Sequence, residues 1–150
     1  MTPHVEIHEI ISARTHDLRR RVLRDGAADA VVDWVGDHDD STVHLGAVVG
    51  GQLVGISTWS AVPDPHATDL PSIQLRGMAT DPAFAGQGLG RSLLDAGFGR
   101  ARSAGPVRVW ANARVTALEF YTRAGMVASG PVFVTEATGL PHRHVHIDLS

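Results

Sequence analysis

The chain contains no lysine and no cysteine, so all 13 of its basic residues are arginine. A Schiff base on a lysine amine is therefore excluded, and so is a covalent intermediate on a thiolate. Chemistry must rest on His, Asp, Glu, Ser, Thr, backbone groups, a bound cofactor or the single tyrosine, Tyr121. No apolar run approaches the roughly 18 residues that would span a bilayer, so a membrane is not an expected partner. The opening MTPHVEIHEI lacks the basic start and apolar centre of a signal peptide, which makes the cytoplasm the expected location. A formal net charge of -3 argues against nucleic acid as a partner, because counterion-release binding needs a clustered basic surface.

What is present fits one globular domain over residues 1–150. A hydrophobic content of 43% can fill a core at that length. Apolar periodicity predicts a strand at 5–10, a helix at 15–24 and a short helix at 28–34, followed by an acidic loop, GDHDDS. Strands at 42–49 and 52–60 are joined by Gly50-Gly51, a dipeptide suited to the positive φ angles of a tight hairpin. The Pro- and Asp-rich stretch at 62–71 reads as an exposed loop. A strand at 72–80 leads through a glycine-rich turn into a helix whose apolar stripe is Leu89, Leu93, Leu94, Gly97, Phe98 and Ala101. A glycine inside a helix costs about 1 kcal/mol relative to alanine, so close packing is expected at Gly97 or Gly99. A strand at 107–111, a helix at 115–124 and strands at 127–135 and 143–149 complete the order. Antiparallel hairpins with one strand-helix-strand crossover make a mixed α/β (α+β) fold with a mostly antiparallel sheet flanked by helices.

Charge and aromatics have plain expectations. Arg19, Arg20 and Arg21 read as the wet face of a surface helix. Asp37, Asp39 and Asp40 read as a solvated loop, with steering of a cationic acceptor as the functional alternative. Trp34, Trp59 and Trp110 are expected in or near the core, with Trp59 a candidate for the acceptor pocket.

The informative stretch is GMATDPAFAGQGLGRSLL, from Gly77 to Leu94. A helix start has N–H groups without intrahelical partners and a partial positive charge, so it holds an anion without lysine. Gly86, Gly88 and Gly90 let a bulky phosphate approach the main chain. A dinucleotide fingerprint would need a glycine where Arg91 stands, and a P-loop would need a lysine. A glycine-rich connection with no ligand is the remaining alternative.

LRGMATDPAFAGQGLGRSLLDAG and WANARVTALEFYTRAGM together resemble the two signature segments of GCN5-related N-acetyltransferases (the GNAT superfamily). The first resembles the family's acetyl-CoA pyrophosphate loop and the second its Asn, Phe-Tyr and Gly-Phe positions, here Asn112, Phe120-Tyr121 and Gly125-Met126. The ending GPVFVTEATGLPHRHVHIDL is similar to that of the ElaA-like branch. The resemblance implies an acyl-CoA acyltransferase fold with acetyl-CoA (coenzyme A) as cofactor. Contacts would come from Met78, Ala79 and Thr80, then from Ala85, Gly86, Gln87, Gly88, Leu89, Gly90, Arg91 and Ser92. Asn112, Ala117, Phe120 and Tyr121 would add to them. Ala85 stands where the family carries Arg or Gln, which leaves Gln87 or Arg91 to compensate and the backbone as main anchor. Homodimers recur in the family, although no exposed apolar seam is readable in the chain.

Moving an acetyl group from a thioester to a primary amine requires a neutral amine, donors for the oxyanion and a proton for the thiolate. Tyr121 is the expected general acid, and a backbone N–H at Met78 or Ala79 the expected oxyanion donor. The base is less determined, because the strand SIQLRGMAT carries Gln74 and no carboxylate; Glu136, His142 and His144 are candidates. His142, His144 and His146 alternate and share a strand face, but strand spacing alone does not converge ligands, so no metal is expected. The expected function is direct N-acetylation of a small-molecule or peptide amine. The competing one is an acyl-CoA-binding module without turnover.

Overall fold

The computed structural model describes residues 4–150. Seven strands form one sheet: β1 (Val5–Ile10), β2 (Val43–Val49), β3 (Gln52–Ser60), β4 (Ser72–Thr80), β5 (Val107–Arg114), β6 (Val127–Val134) and β7 (Pro141–Leu149). Their order is β1-β2-β3-β4-β5-β7-β6. Of the neighbouring pairs only β4 and β5 run parallel, joined by a helical crossover; every other neighbouring pair is antiparallel. The turn between β2 and β3 uses Gly50 and Gly51 at φ of 57° and 80°, the angles that the hairpin demanded.

Helix α2 (Leu89–Arg102) buries Leu89, Leu93, Leu94, Gly97 and Phe98 on one face of the sheet. They join Leu45, Val54, Trp59, Val109 and Val145 in the main core. A Cβ at Gly97 would lie 1.8 Å from the Trp59 ring, whereas one at Gly99 would meet nothing within 4 Å. Gly97 is therefore the residue that the close approach requires. Trp59 itself packs edge-on against Phe98 at 6.0 Å, within the main core. Helix α3 (Leu118–Arg123) follows β5 and places Tyr121 in the same core.

The N-terminal helical segment winds as a 3₁₀ turn at Ser12–Thr15, an α turn at His16–Leu18 (α1) and a π turn at Arg19–Leu23. Leu18 packs with Ile10, Ile56 and Ala79 in a second, smaller core. Arg19 corrects the expectation of a wet face, for it is fully buried. Its Nη1 donates to Asp37 Oδ2 at 2.6 Å and to the Val32 carbonyl at 2.8 Å, while its Nη2 donates to Asp37 Oδ1 and Thr58 Oγ1. Asp37 likewise leaves the solvated loop expected for it, and also accepts from the Trp34 backbone N–H at 2.8 Å. These bonds explain why the helix expected at 28–34 does not form. So short a helix is marginal in water, and here buried side chains satisfy the loop's backbone groups instead. Arg21 does face solvent, paired with Asp17 and Asp81.

Two local features of β4 open the sheet. It pairs with β5 only at Ser72, Ile73 and Gln74, beyond which the strands part. Against β3, the register shifts between Ile56 and Thr58, so that β4 carries one extra residue around Gly77, at φ 62°. A bulge of this kind bends a strand and reverses its face alternation. Leu75 accordingly lies in the main core and Ala79 in the smaller one, although an unbroken strand would put both on one face.

Candidate active site

The parting of β4 and β5 leaves two clefts, one on either side of the opening. The first, of about 490 Å³, is lined by Met78, Ala79, Thr80, the loop from Ala85 to Gly88, the start of α2 and Ala117, Phe120 and Tyr121. The second, of about 250 Å³, is walled by Trp34, Arg24, Arg76, Arg114, Asn112 and His142 among others. Met78, Ala117 and Tyr121 border both. A group entering from one side thus meets a group entering from the other at these three residues.

The loop of the larger cleft is shaped by its glycines. Gly86 and Gly88 sit at φ of 82° and 73°, and a Cβ on either would project into open space. Gly88 is the N-cap of α2, so the free N–H groups of the first turn open toward this loop. Gly90 serves differently. A Cβ there would meet the Phe120 ring at 2.9 Å, so its absence lets α3 close one wall of the cleft. Of the residues expected to contact a cofactor, Met78 through Thr80, Ala85 through Arg91, Ala117, Phe120 and Tyr121 line this cleft together. Ser92 does not line it, and Asn112 lies in the smaller cleft. Arg91 is held by Asp95 at 3.0 Å, whereas the Gln87 side-chain oxygen is buried without a partner.

Tyr121 is 8% exposed and packs edge-on against Phe120 at 5.0 Å. Burial pushes its phenol up to about 12, and the nearby Arg114 guanidinium only partly opposes that. The hydroxyl therefore keeps its proton throughout the physiological range. Beyond Gln74, the edge of β4 that carries Met78 and Ala79 has no β5 partner, which leaves backbone polar groups directed at the opening.

The three candidate bases separate. His142 is buried on the wall of the smaller cleft, and its Nδ1 donates to the Leu140 carbonyl at 2.7 Å. A carbonyl only accepts, so the lone pair of the neutral ring is on Nε2. His144 instead bridges Asp64, 2.7 Å from Nε2, and Ser129, 3.2 Å from Nδ1, and stacks on His66 at 3.7 Å. Burial lowers its pKa against the opposing pull of Asp64, and neighbouring His66 and His146 lower it further. Glu136 is exposed on the turn after β6 and lines neither cleft. Among the described residues, no group of three His, Asp or Glu side chains is arranged to hold a metal ion.

Sequence periodicity missed Trp34, Arg24, Arg76 and Arg114 as walls of the smaller cleft. Trp34 lies 3.7 Å over the Arg19 guanidinium, with Arg24 and Arg76 at 5.6 and 5.7 Å from its ring. The only sequence signal was a tryptophan beside an acidic loop, and nothing local linked it to arginines on other elements.

Residues 6–126 match the Acetyltransferase (GNAT) family. The chain belongs to this family. An uncharacterized N-acetyltransferase, YitI of Bacillus subtilis, is 29% identical over 129 residues, 86% of this chain and 87% of that protein. Among solved structures, a putative N-acetyltransferase from Lactobacillus plantarum superposes with a TM-score of 0.77 at 20% identity, covering 97% of this chain and 99% of the other. Escherichia coli ElaA does so at 0.72 and 16% identity, covering 95% and 99%. At those identities the two structures establish the GNAT fold. The family match and the curated relative make the chain an N-acetyltransferase homologue with an acyltransferase's architecture. No helix among the described residues is long and apolar enough to cross a membrane.

Proposed function

We propose that this GNAT protein transfers an acetyl group from acetyl-CoA directly to a primary amine. The observation that carries the reading is the pair of clefts meeting at Met78, Ala117 and Tyr121. The glycine loop fits a pyrophosphate: its two left-handed glycines leave the space open, and the first turn of α2 supplies N–H donors. Acetyl-CoA, when bound, supplies the activated acyl carbon as a thioester. Gly86, Gly88 and Gly90 would hold its phosphates, and Phe120 would flank it.

The amine nitrogen forms the new C–N bond as the C–S bond breaks, and the proton it loses balances the one the departing sulfur gains. His142 Nε2 accepts the amine proton, because it carries the lone pair and borders the acceptor cleft. A backbone N–H at Met78 or Ala79 stabilises the charge that develops on the acyl oxygen. Tyr121 gives its proton, or a hydrogen bond, to the sulfur. A free thiol titrates near 8.5, so a phenol at about 12 is a weaker acid than the group it serves, and hydrogen bonding carries more of the stabilisation than full transfer.

Thiol release from acetyl-CoA across a panel of amines tests the reading. Tyr121→Phe should lower kcat by about 10–10²-fold, the worth of a hydrogen bond to a charged group, with the melting shift induced by CoA intact. An unchanged kcat would remove Tyr121 from catalysis. Tight acetyl-CoA binding with no thiol release from any amine would favour the acyl-CoA-binding module.

A further inference from the structure

The smaller cleft is strongly cationic. Arg24, Arg76 and Arg114 line it, and no aspartate or glutamate does. Arg24 directly follows the π turn and Arg114 ends β5, yet both donate to one oxygen, the Leu23 carbonyl, at 3.0 and 3.1 Å. Their guanidiniums are thereby held side by side. Among the described residues neither has a carboxylate within ion-pair distance, whereas Arg76 shares Asp37 with Arg19. Of the three guanidiniums that line this cleft, Arg76 alone reaches a carboxylate, and that carboxylate, Asp37, is already bound to the buried Arg19. Burial, then the neighbouring Arg114 and Arg19, disfavour the charge on Arg24, so the clustered guanidiniums repel one another.

We infer that the acceptor amine carries an anionic group, a carboxylate or a phosphate, which the paired guanidiniums of Arg24 and Arg114 bind. Guanidinium forks match the oxygens of either anion, and an anion there relieves the repulsion between the two arginines. Trp34 supplies a flat apolar wall beside them for the carbon skeleton. The same cleft is unsuited to polyamines and other polycations, which would bring further positive charge to an unneutralised site. This selects a substrate class against the expectation that an acidic loop draws in cations, since the most central carboxylate of that loop, Asp37, is consumed internally by Arg19.

The inference rests on the acetyl-transfer reading, and the test separates the two. Thiol release from acetyl-CoA is measured with α-amino acids, their uncharged amides, aminoalkylphosphonates and diamines. The expected result is a kcat/KM for the anionic amines at least about 10-fold above that for the matched amides, the loss of one charge-assisted hydrogen bond being worth that or more. Arg24→Gln and Arg114→Gln should each erase most of that preference, read within each variant as the ratio of kcat/KM for an anionic amine to that for its matched amide. Carboxylate against phosphonate preference identifies the anion. A preference for amides or diamines, or a preference that survives both substitutions, overturns the inference. If acetyl-CoA binds but no amine reacts, catalysis fails as a reading and the anion site is still decided. Inorganic phosphate at millimolar concentration should raise the melting temperature of the CoA-bound wild type more than that of the Arg24→Gln/Arg114→Gln double variant, and equal shifts would overturn it.

Discussion

Tyr121 is the only tyrosine in the chain, so its ionisation can be read directly from absorbance near 295 nm. In the folded protein the phenol is pushed from 10.0 to about 12 by burial between α3 and the sheet. Unfolding exposes it and restores the ordinary value near 10. A shift of this size corresponds to roughly 3 kcal/mol, at about 1.4 kcal/mol per unit. The sign follows from proton counting: between pH 10 and 12 the folded state holds a proton that the unfolded state has lost, so stability falls as pH rises through that window. A titration of native protein should show little tyrosinate at pH 10.5, whereas the same protein in concentrated guanidinium chloride should be more than half ionised. Arg114→Gln removes the one charge that favours ionisation and should move the native midpoint higher still. Half-ionisation near pH 10, with near-ultraviolet circular dichroism still native, would refute the burial argument. It would also return Tyr121 to a phenol of ordinary acidity, better matched to a departing thiolate.

The remaining predictions concern packing and linkage. Gly97→Ala should destabilise by about 1–3 kcal/mol because its Cβ meets Trp59, while Gly99→Ala should stabilise by up to about 1 kcal/mol, both measured by urea denaturation. Asp37→Ala leaves the Arg19 guanidinium buried and uncompensated, at a cost of about 3–5 kcal/mol, and should loosen Trp34. A loss below 1 kcal/mol would mean that the pair contributes little. The lowered pKa of His144 makes the unfolded chain bind more protons on acidification, so stability should fall as the pH drops below about 6.5, and His144→Asn should flatten that slope in urea midpoints. Asp37, Asp64 and Asp148 are also lowered: burial raises Asp37 and Asp64, but their hydrogen bonds outweigh it, and for Asp148 the Arg108 bond leads. Their contribution is present above pH 4 and is lost below it, so acid unfolding should steepen there.

How much was legible varies with the range of the interaction involved. Helix α2, the strands from β2 to β5 and the Gly50-Gly51 hairpin follow from periodicity and turn chemistry, because apolar spacing and positive φ are demands that a few neighbouring residues can express. The glycine loop was legible for the same reason: Gly86 and Gly88 meet a backbone requirement of their own segment. The smaller cleft was not, since Arg24, Arg76, Arg114, Trp34 and His142 come from separate elements. The bulge at Gly77 was equally silent. A strand pattern of SIQLRGMAT predicts one face for Leu75 and Ala79, and only pairing against β3 shows them divided. Arg19 and Asp37 mark the limit most clearly. Each reads as a surface charge in its own segment, yet they neutralise each other in the interior because folding brings a helical turn and a loop together over Thr58. The sequence by itself determined the family, the order of the elements and the glycine loop. The tertiary structure alone decided which charges are buried and paired and which line a cleft without a carboxylate partner, because burial and pairing depend on distances between segments that no local pattern encodes.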